Sequence, residues 1–297
     1  MDGEVSLAGR ITETVDVPVA GGALRVGVRA GEKDAATALL IHGVTSSHLA
    51  WPFVAERLPG LRLLAPDLRG RGASNAVAGA AGMAAHAADM IAVLDRFGVE
   101  QARVVGHSMG AFVAVVLAHL YPDRVSDLVL IDGGLPLSVP EGLDPDTLVA
   151  LILGPTAERL NMRFGSVDEY LEFWRAHPAF AHDWNTEVEA YLAYDLVDDG
   201  AGALRPATSY QTVVDDTVDM NTGTALPAAL AGLRHPTRLV TVPRGLQDEP
   251  PGLYPADYLE KILPDYPTVQ HTRIEGFNHY TIAMSPAGAQ IVADTVL

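Results

Sequence analysis

The chain has 297 residues, 48% of them hydrophobic, no cysteine and a formal net charge of −17. Its length allows one large-cored catalytic domain with an inserted subdomain. The charge, with no basic cluster denser than Arg69 and Arg71, argues against a nucleic-acid partner, and the missing cysteine excludes disulfides, thiolate metal sites and cysteine nucleophiles.

The N-terminal stretch MDGEVSLAGRITETVDV has no basic segment followed by an apolar run, and no stretch reaches the roughly 18 apolar residues of a membrane span. A soluble, cytoplasmic protein is the expectation. Strands are predicted near Arg10 to Val17, Ala23 to Arg29, Thr37 to Ile41, Leu61 to Ala65, Ala102 to Val105, Val125 to Ile131, Thr237 to Val242 and Val269 to Ile274. The first two read as a hairpin joined at Gly21-Gly22. Helices are predicted at Trp51 to Leu58, Met83 to Phe97, Ala111 to Leu120, Ala256 to Ile262 and Pro286 to Val296, the last opened by Ser285 before a Pro at the first helical position. The alternation implies an α/β fold, an eight-stranded mostly parallel sheet flanked by helices.

From Asp132 to about Arg234 the strand signal disappears, over a length too great for a plain loop. Separate short helices are predicted there: one opened by Asp144-Pro145, one by a capping box of Ser166 and Glu169, and one through Val188 to Leu196. Residues 1–132 and 235–297 are thus expected to form the core, with 133–234 as a helical insertion.

The chemistry gathers at Gly106-His107-Ser108-Met109-Gly110, a G-x-S-x-G pattern lying directly after a predicted strand and directly before an apolar helix. A serine at so tight a turn needs glycine neighbours because any Cβ would clash. The pentapeptide by itself is weak evidence; its setting makes it specific. Histidine is the side chain whose proton affinity suits a base near neutrality, and ten compete for the role. No pair has the i, i+4 spacing with an intervening Glu that a zinc-protease helix requires, so neither metal nor cofactor is expected.

Taken in order, Ile41-His42-Gly43 after the third strand, Asp67-Leu68-Arg69-Gly70-Arg71-Gly72 after the fourth, the serine turn, and Asn278-His279-Tyr280 near the C-terminus resemble the α/β-hydrolase family over nearly the whole chain. The resemblance implies Ser108 as nucleophile, His279 as its base, and the main-chain N–H groups of Val44 and Met109 as the oxyanion hole. No HGGG run is present, which separates the chain from lipases and esterases built on that motif. For the acid, Asp248 after the seventh core strand is favoured over Asp132 at the end of the sixth, a site some relatives use; Glu249 is a lesser candidate. Asp67 beside glycine reads first as turn chemistry.

Trp51, Phe173, Trp174, Trp184 and Met220 are candidates for an apolar substrate pocket, although aromatics on amphipathic helices more often pack a cap onto its own core. By resemblance the activity is hydrolysis of a small to medium hydrophobic ester or lactone through an acyl-enzyme. Carbon-carbon bond hydrolysis, cofactor-free perhydrolysis and a non-catalytic ligand receptor are the alternatives.

Overall fold

The computed structural model describes residues 10–140 and 142–297. Strands β1 (Glu13–Val19) and β2 (Gly22–Arg29) form an antiparallel hairpin, followed by β3 (Thr37–Ile41), α1 (Pro52–Glu56), β4 (Arg62–Pro66), α2 (Met83–Arg96), β5 (Ala102–His107), α3 (Met109–Leu120) and β6 (Val125–Ile131). An insertion holds α4 (Pro145–Leu153), α5 (Pro155–Glu158), α6 (Val167–Arg175), α7 (Thr186–Tyr194), β7 (Leu196–Asp198), β8 (Leu204–Pro206), α8 (Tyr210–Thr222) and α9 (Ala225–Ala231). The chain then closes with β9 (Thr237–Thr241), α10 (Ala256–Ile262), β10 (Val269–Arg273), α11 (Thr281–Met284) and α12 (Pro286–Val296).

Eight strands make one sheet in the order β1-β2-β4-β3-β5-β6-β9-β10, antiparallel at β1/β2 and β2/β4 and parallel beyond. Central strands read as near-continuous apolar runs because a parallel strand is covered on both faces; all five residues of β3 are buried. β10, at the edge, instead alternates half-buried and exposed positions. Helices α2, α3 and α9 pack together, α1, α11 and α12 form a second group, and β6 touches both α3 and α12. Ten of the twelve α3 residues are buried, as expected for a helix that is apolar all round.

The insertion departs from the helical expectation in two ways. Leu196–Asp198 and Leu204–Pro206 pair as a short antiparallel hairpin, too brief to give a periodic signal. Helices α8 and α9 were not predicted, and they join the core: α9 packs on α3, and α8 presents Asp216 and Asp219 to the start of α2. Gly82 there offers no side-chain cap, so the Gly82 and Met83 N–H groups donate to Asp216 Oδ1 at 2.6 Å and Asp219 Oδ2 at 2.7 Å. Those first-turn donors have no acceptor within their own helix. Ser166 does cap α6, accepting from Glu169 N at 3.2 Å, while the Glu169 carboxylate accepts from Gly165 N at 2.6 Å. No described helix is long and apolar enough to cross a membrane.

Candidate active site

The turn from β5 to α3 holds Ser108 at φ 54°, ψ −125°, a strained conformation for a residue with a side chain. A Cβ on Gly106 would strike the Gly110 carbonyl, and one on Gly110 would strike that of Ile41. Steric necessity therefore accounts for both glycines. The Ser108 N–H donates to Ile131 O at 2.9 Å and its carbonyl accepts from Ala111 N at 2.9 Å, so main-chain bonds to β6 and α3 hold the turn while the side chain caps nothing.

His279 follows β10 and precedes α11. Its N–H donates to Arg244 O at 3.0 Å, and its carbonyl accepts from His107 Nε2 at 2.8 Å. Nδ1 lies 2.7 Å from Asp132 Oδ2, with both side chains buried. A carboxylate there fixes the tautomer with the proton on Nδ1 and leaves Nε2 as an acceptor. Asp132 directly follows β6, where its N–H donates to Val240 O at 2.7 Å and its Oδ1 accepts from Val242 N at 3.4 Å.

Asp248, the acid favoured from the sequence, has other partners in this arrangement. Its carboxylate accepts from Arg244 Nη1 at 3.2 Å and from Asn278 Nδ2 at 2.9 Å. The Arg244 and Asn278 main chains run side by side as a parallel bridge, which brings Asp248 to the residue before His279 rather than to its ring. Glu249 accepts from Gln247 N at 2.7 Å and turns back on its own loop. Asp67 fits the turn reading: it accepts from Ala73 N, His48 N, His48 Nδ1 and the Tyr194 hydroxyl at 2.7–2.9 Å.

Val44 follows β3 and Met109 opens α3. Neither main-chain N–H donates to another of the described residues. Two histidines shape this ground in neutral form. His42 donates from Nδ1 to Gly43 O at 2.7 Å and accepts from Leu68 N at Nε2, 2.9 Å; burial pulls its pKa down to about 4. Burial, then the nearness of His279, pulls His107 down to about 3, so an uncharged ring lies 4.7 Å from that of His279. Arg71, fully buried, donates from Nε to Val44 O at 2.8 Å, places Nη2 3.8 Å from Met109 Sδ, and pairs through Nη1 with Asp216 of α8 at 2.5 Å. In the sequence Arg71 stands out only as part of a turn motif and of a sparse basic pair; its contacts with Val44 and Met109 depend on long-range folding.

Two cavities meet at Ser108. One, of about 30 Å³, also touches His279, Ser46, Tyr191 and Tyr280; the other, of about 20 Å³, touches Met109, Phe112, Leu153 and Met220. Of the five pocket candidates, Met220 alone borders either cavity. Trp51 is fully buried, with its ring edge-on to His107 at 6.4 Å. Phe173 and Trp174 pack with Phe164, Tyr170 and Phe180 in an aromatic cluster of the insertion, and Trp174 also meets Tyr280 at 6.5 Å. Trp184 meets Phe180 edge-on at 6.5 Å and lies under the Arg175 guanidinium. Tyr280 links the cluster to the site, 5.1 Å from Phe180 and 5.8 Å from His279. Tyr191 and Leu246, which also line the site, are ordinary apolar-face residues in sequence and gave no signal.

A family model described as alpha/beta hydrolase fold matches residues 39–193. Lipase LipV of Mycobacterium tuberculosis is 34% identical over 178 residues, covering 56% of this chain and 68% of that protein. Human Protein ABHD8 is 40% identical over 104 residues, 33% of this chain but 24% of the longer protein. Among solved structures, E-2-(acetamidomethylene)succinate hydrolase superposes with a TM-score of 0.76 at 20% identity, over 96% of this chain and 98% of that one.

Proposed function

Because this chain belongs to the α/β-hydrolase fold family, we propose that it is a serine hydrolase cleaving a carboxylic ester or lactone of a small to medium hydrophobic substrate. The observation that carries the reading is the 2.7 Å bond from His279 Nδ1 to Asp132 Oδ2, on an imidazole that shares a cavity with Ser108. Similarity to a lipase supports the ester class.

In this mechanism Ser108 Oγ attacks the carbonyl carbon and its proton passes to His279 Nε2. Asp132 stabilises the imidazolium, and the N–H groups of Val44 and Met109 hold the oxyanion. His279 then protonates the leaving oxygen as that carbon–oxygen bond breaks. Water, deprotonated by the same imidazole, attacks the acyl-enzyme, releasing the acid and restoring the Ser108 hydroxyl. The segment 133–234 acts as the cap, with Leu153 of α4 and Tyr191 of α7 on the site's walls.

A fluorophosphonate probe followed by intact-mass analysis tests the nucleophile: one adduct is expected, abolished by Ser108→Ala. Labelling that survives the substitution overturns it. Turnover of a panel of esters, lactones and a vinylogous diketone tests the bond class, and cleavage of the diketone alone would replace ester hydrolysis by carbon-carbon hydrolysis.

A further inference from the structure

The two cavities at Ser108 divide along the reaction. The leaving group must depart beside His279, which protonates it, so the cavity that His279 borders takes the leaving group. The other cavity has Val44, Met109 and Ser108 in its wall and His279 outside it, and takes the acyl portion. At about 20 Å³ it exceeds the space of a single water by little, so an acyl chain of any length must continue elsewhere. A cleft of about 270 Å³ begins where the inner cavity stops: Leu137 and Met220 line both. Beyond them the cleft is walled by Val139, Leu226 and Leu230, and both Met220 and Leu230 are buried residues. Methionine, unbranched and with three rotatable bonds, suits a partition that moves aside.

We infer that Leu137 and Met220 form a gate between the inner cavity and this cleft, and that the enzyme's acyl substrate is a linear aliphatic chain threaded from Ser108 past the gate to α9. The leaving-group cavity, bounded by Gly43, Ser46 and Ala50 and about 30 Å³ in volume, fits a small alcohol. The substrate class is therefore a medium-chain fatty acyl ester of a small alcohol. This rests on the ester-hydrolase reading, and the test separates the two.

The readout is the ratio of kcat/KM for methyl decanoate to that for methyl butanoate, followed by pH-stat below each ester's solubility limit, with sodium decanoate binding to the Ser108→Ala protein measured by calorimetry. Wild type is expected to favour decanoate tenfold or more. Met220→Trp at the gate and, separately, Leu230→Trp in the cleft should each bring the ratio to within about twofold of unity and weaken decanoate binding at least tenfold; Met220→Ala should raise the ratio. Each variant is compared at a matched thermal melt, and the two tryptophan sites sit on different helices, α8 and α9, so misfolding of one leaves the other. A wild-type ratio near unity, or a tenfold ratio unchanged by both tryptophans, overturns the gate. No ester turnover with decanoate binding that both tryptophans weaken would reject the hydrolase reading and keep the chain site; no turnover and no binding would overturn both.

Discussion

At the scale of single residues, the choice of acid is the sharpest question. A carboxylate on Nδ1 holds the imidazole in the tautomer that can accept the serine proton, and Asp132 occupies that position at 2.7 Å. Asp132→Asn is expected to lower kcat on the order of 10³- to 10⁴-fold with the fold retained, as for the equivalent change in a serine protease. Asp248→Asn removes an interaction with Arg244 and Asn278 and should cost about tenfold or less, through the placement of the His279 loop. Steady-state kinetics on variants with matched melting curves decide this, and the reverse ranking would restore Asp248 as the acid. The sequence offered both aspartates at strand ends in the right order. It could not show that the Arg244 guanidinium, four residues away, would claim the Asp248 carboxylate.

At the scale of elements, the loop after β3 and the start of α3 are joined to α8 through one buried ion pair. Arg71 binds the Val44 carbonyl and reaches Met109, and Asp216 holds Arg71. Loss of Arg71 alone would leave the buried Asp216 carboxylate with only His86 and the Gly82 N–H as partners, and breaking such a buried pair costs up to about 3–5 kcal/mol. The informative variant is therefore Arg71→Met with Asp216→Asn, which removes both charges and keeps an acceptor for the Gly82 N–H. It is expected to fold, to lower kcat by about ten- to a hundredfold as the proposed oxyanion donors, the Val44 and Met109 N–H groups, lose their placement, and to leave KM within about threefold. A rise in KM with kcat intact would mean that the pair shapes binding rather than the transition state. The element itself was invisible in sequence: α8 has a weak apolar stripe, and its stability comes from packing against α4 and from the charges it delivers to α2.

At the scale of the whole molecule, buried titratable groups set a common acid limit. Burial holds His42 and His177 down to about 4 and His107 down to about 3, from an ordinary 6.5. Below pH 6.5 the unfolded chain binds protons that the folded chain refuses, so this stability is full above 6.5 and declines as pH falls towards those lower values. Burial would raise Asp67 and Asp216, yet His48 on the first, and Arg71 and His86 on the second, hold both below the ordinary carboxylate range. Their share is lost at still lower pH, below about 3.8. The net charge of −17 acts the other way, since protonation relieves repulsion, but exposed charges are screened beyond about 8 Å at physiological salt. The melting temperature in 0.15 M salt is expected to be level above pH 7 and to drop by roughly 5–10 °C by pH 4.5. His107→Asn should flatten part of that slope. A melting temperature that rises on acidification would place the net charge above the buried histidines.

Local chemistry was enough for the sheet and the serine turn. Central strands announce themselves because burial on both faces requires an apolar run, and the glycines around Ser108 follow from sterics confined to a few residues. Both the fold class and the placing of Ser108 before an apolar helix were thus written in short stretches of sequence. Only the tertiary structure decided what depends on residues far apart: Asp132 rather than Asp248 against a histidine 147 positions later, Arg71 under Val44, and Met220 rather than Phe173, Trp174 or Trp184 at the edge of the site. The aromatic residues of the insertion had one another to pack against, and burial rewards that contact as readily as it rewards a substrate.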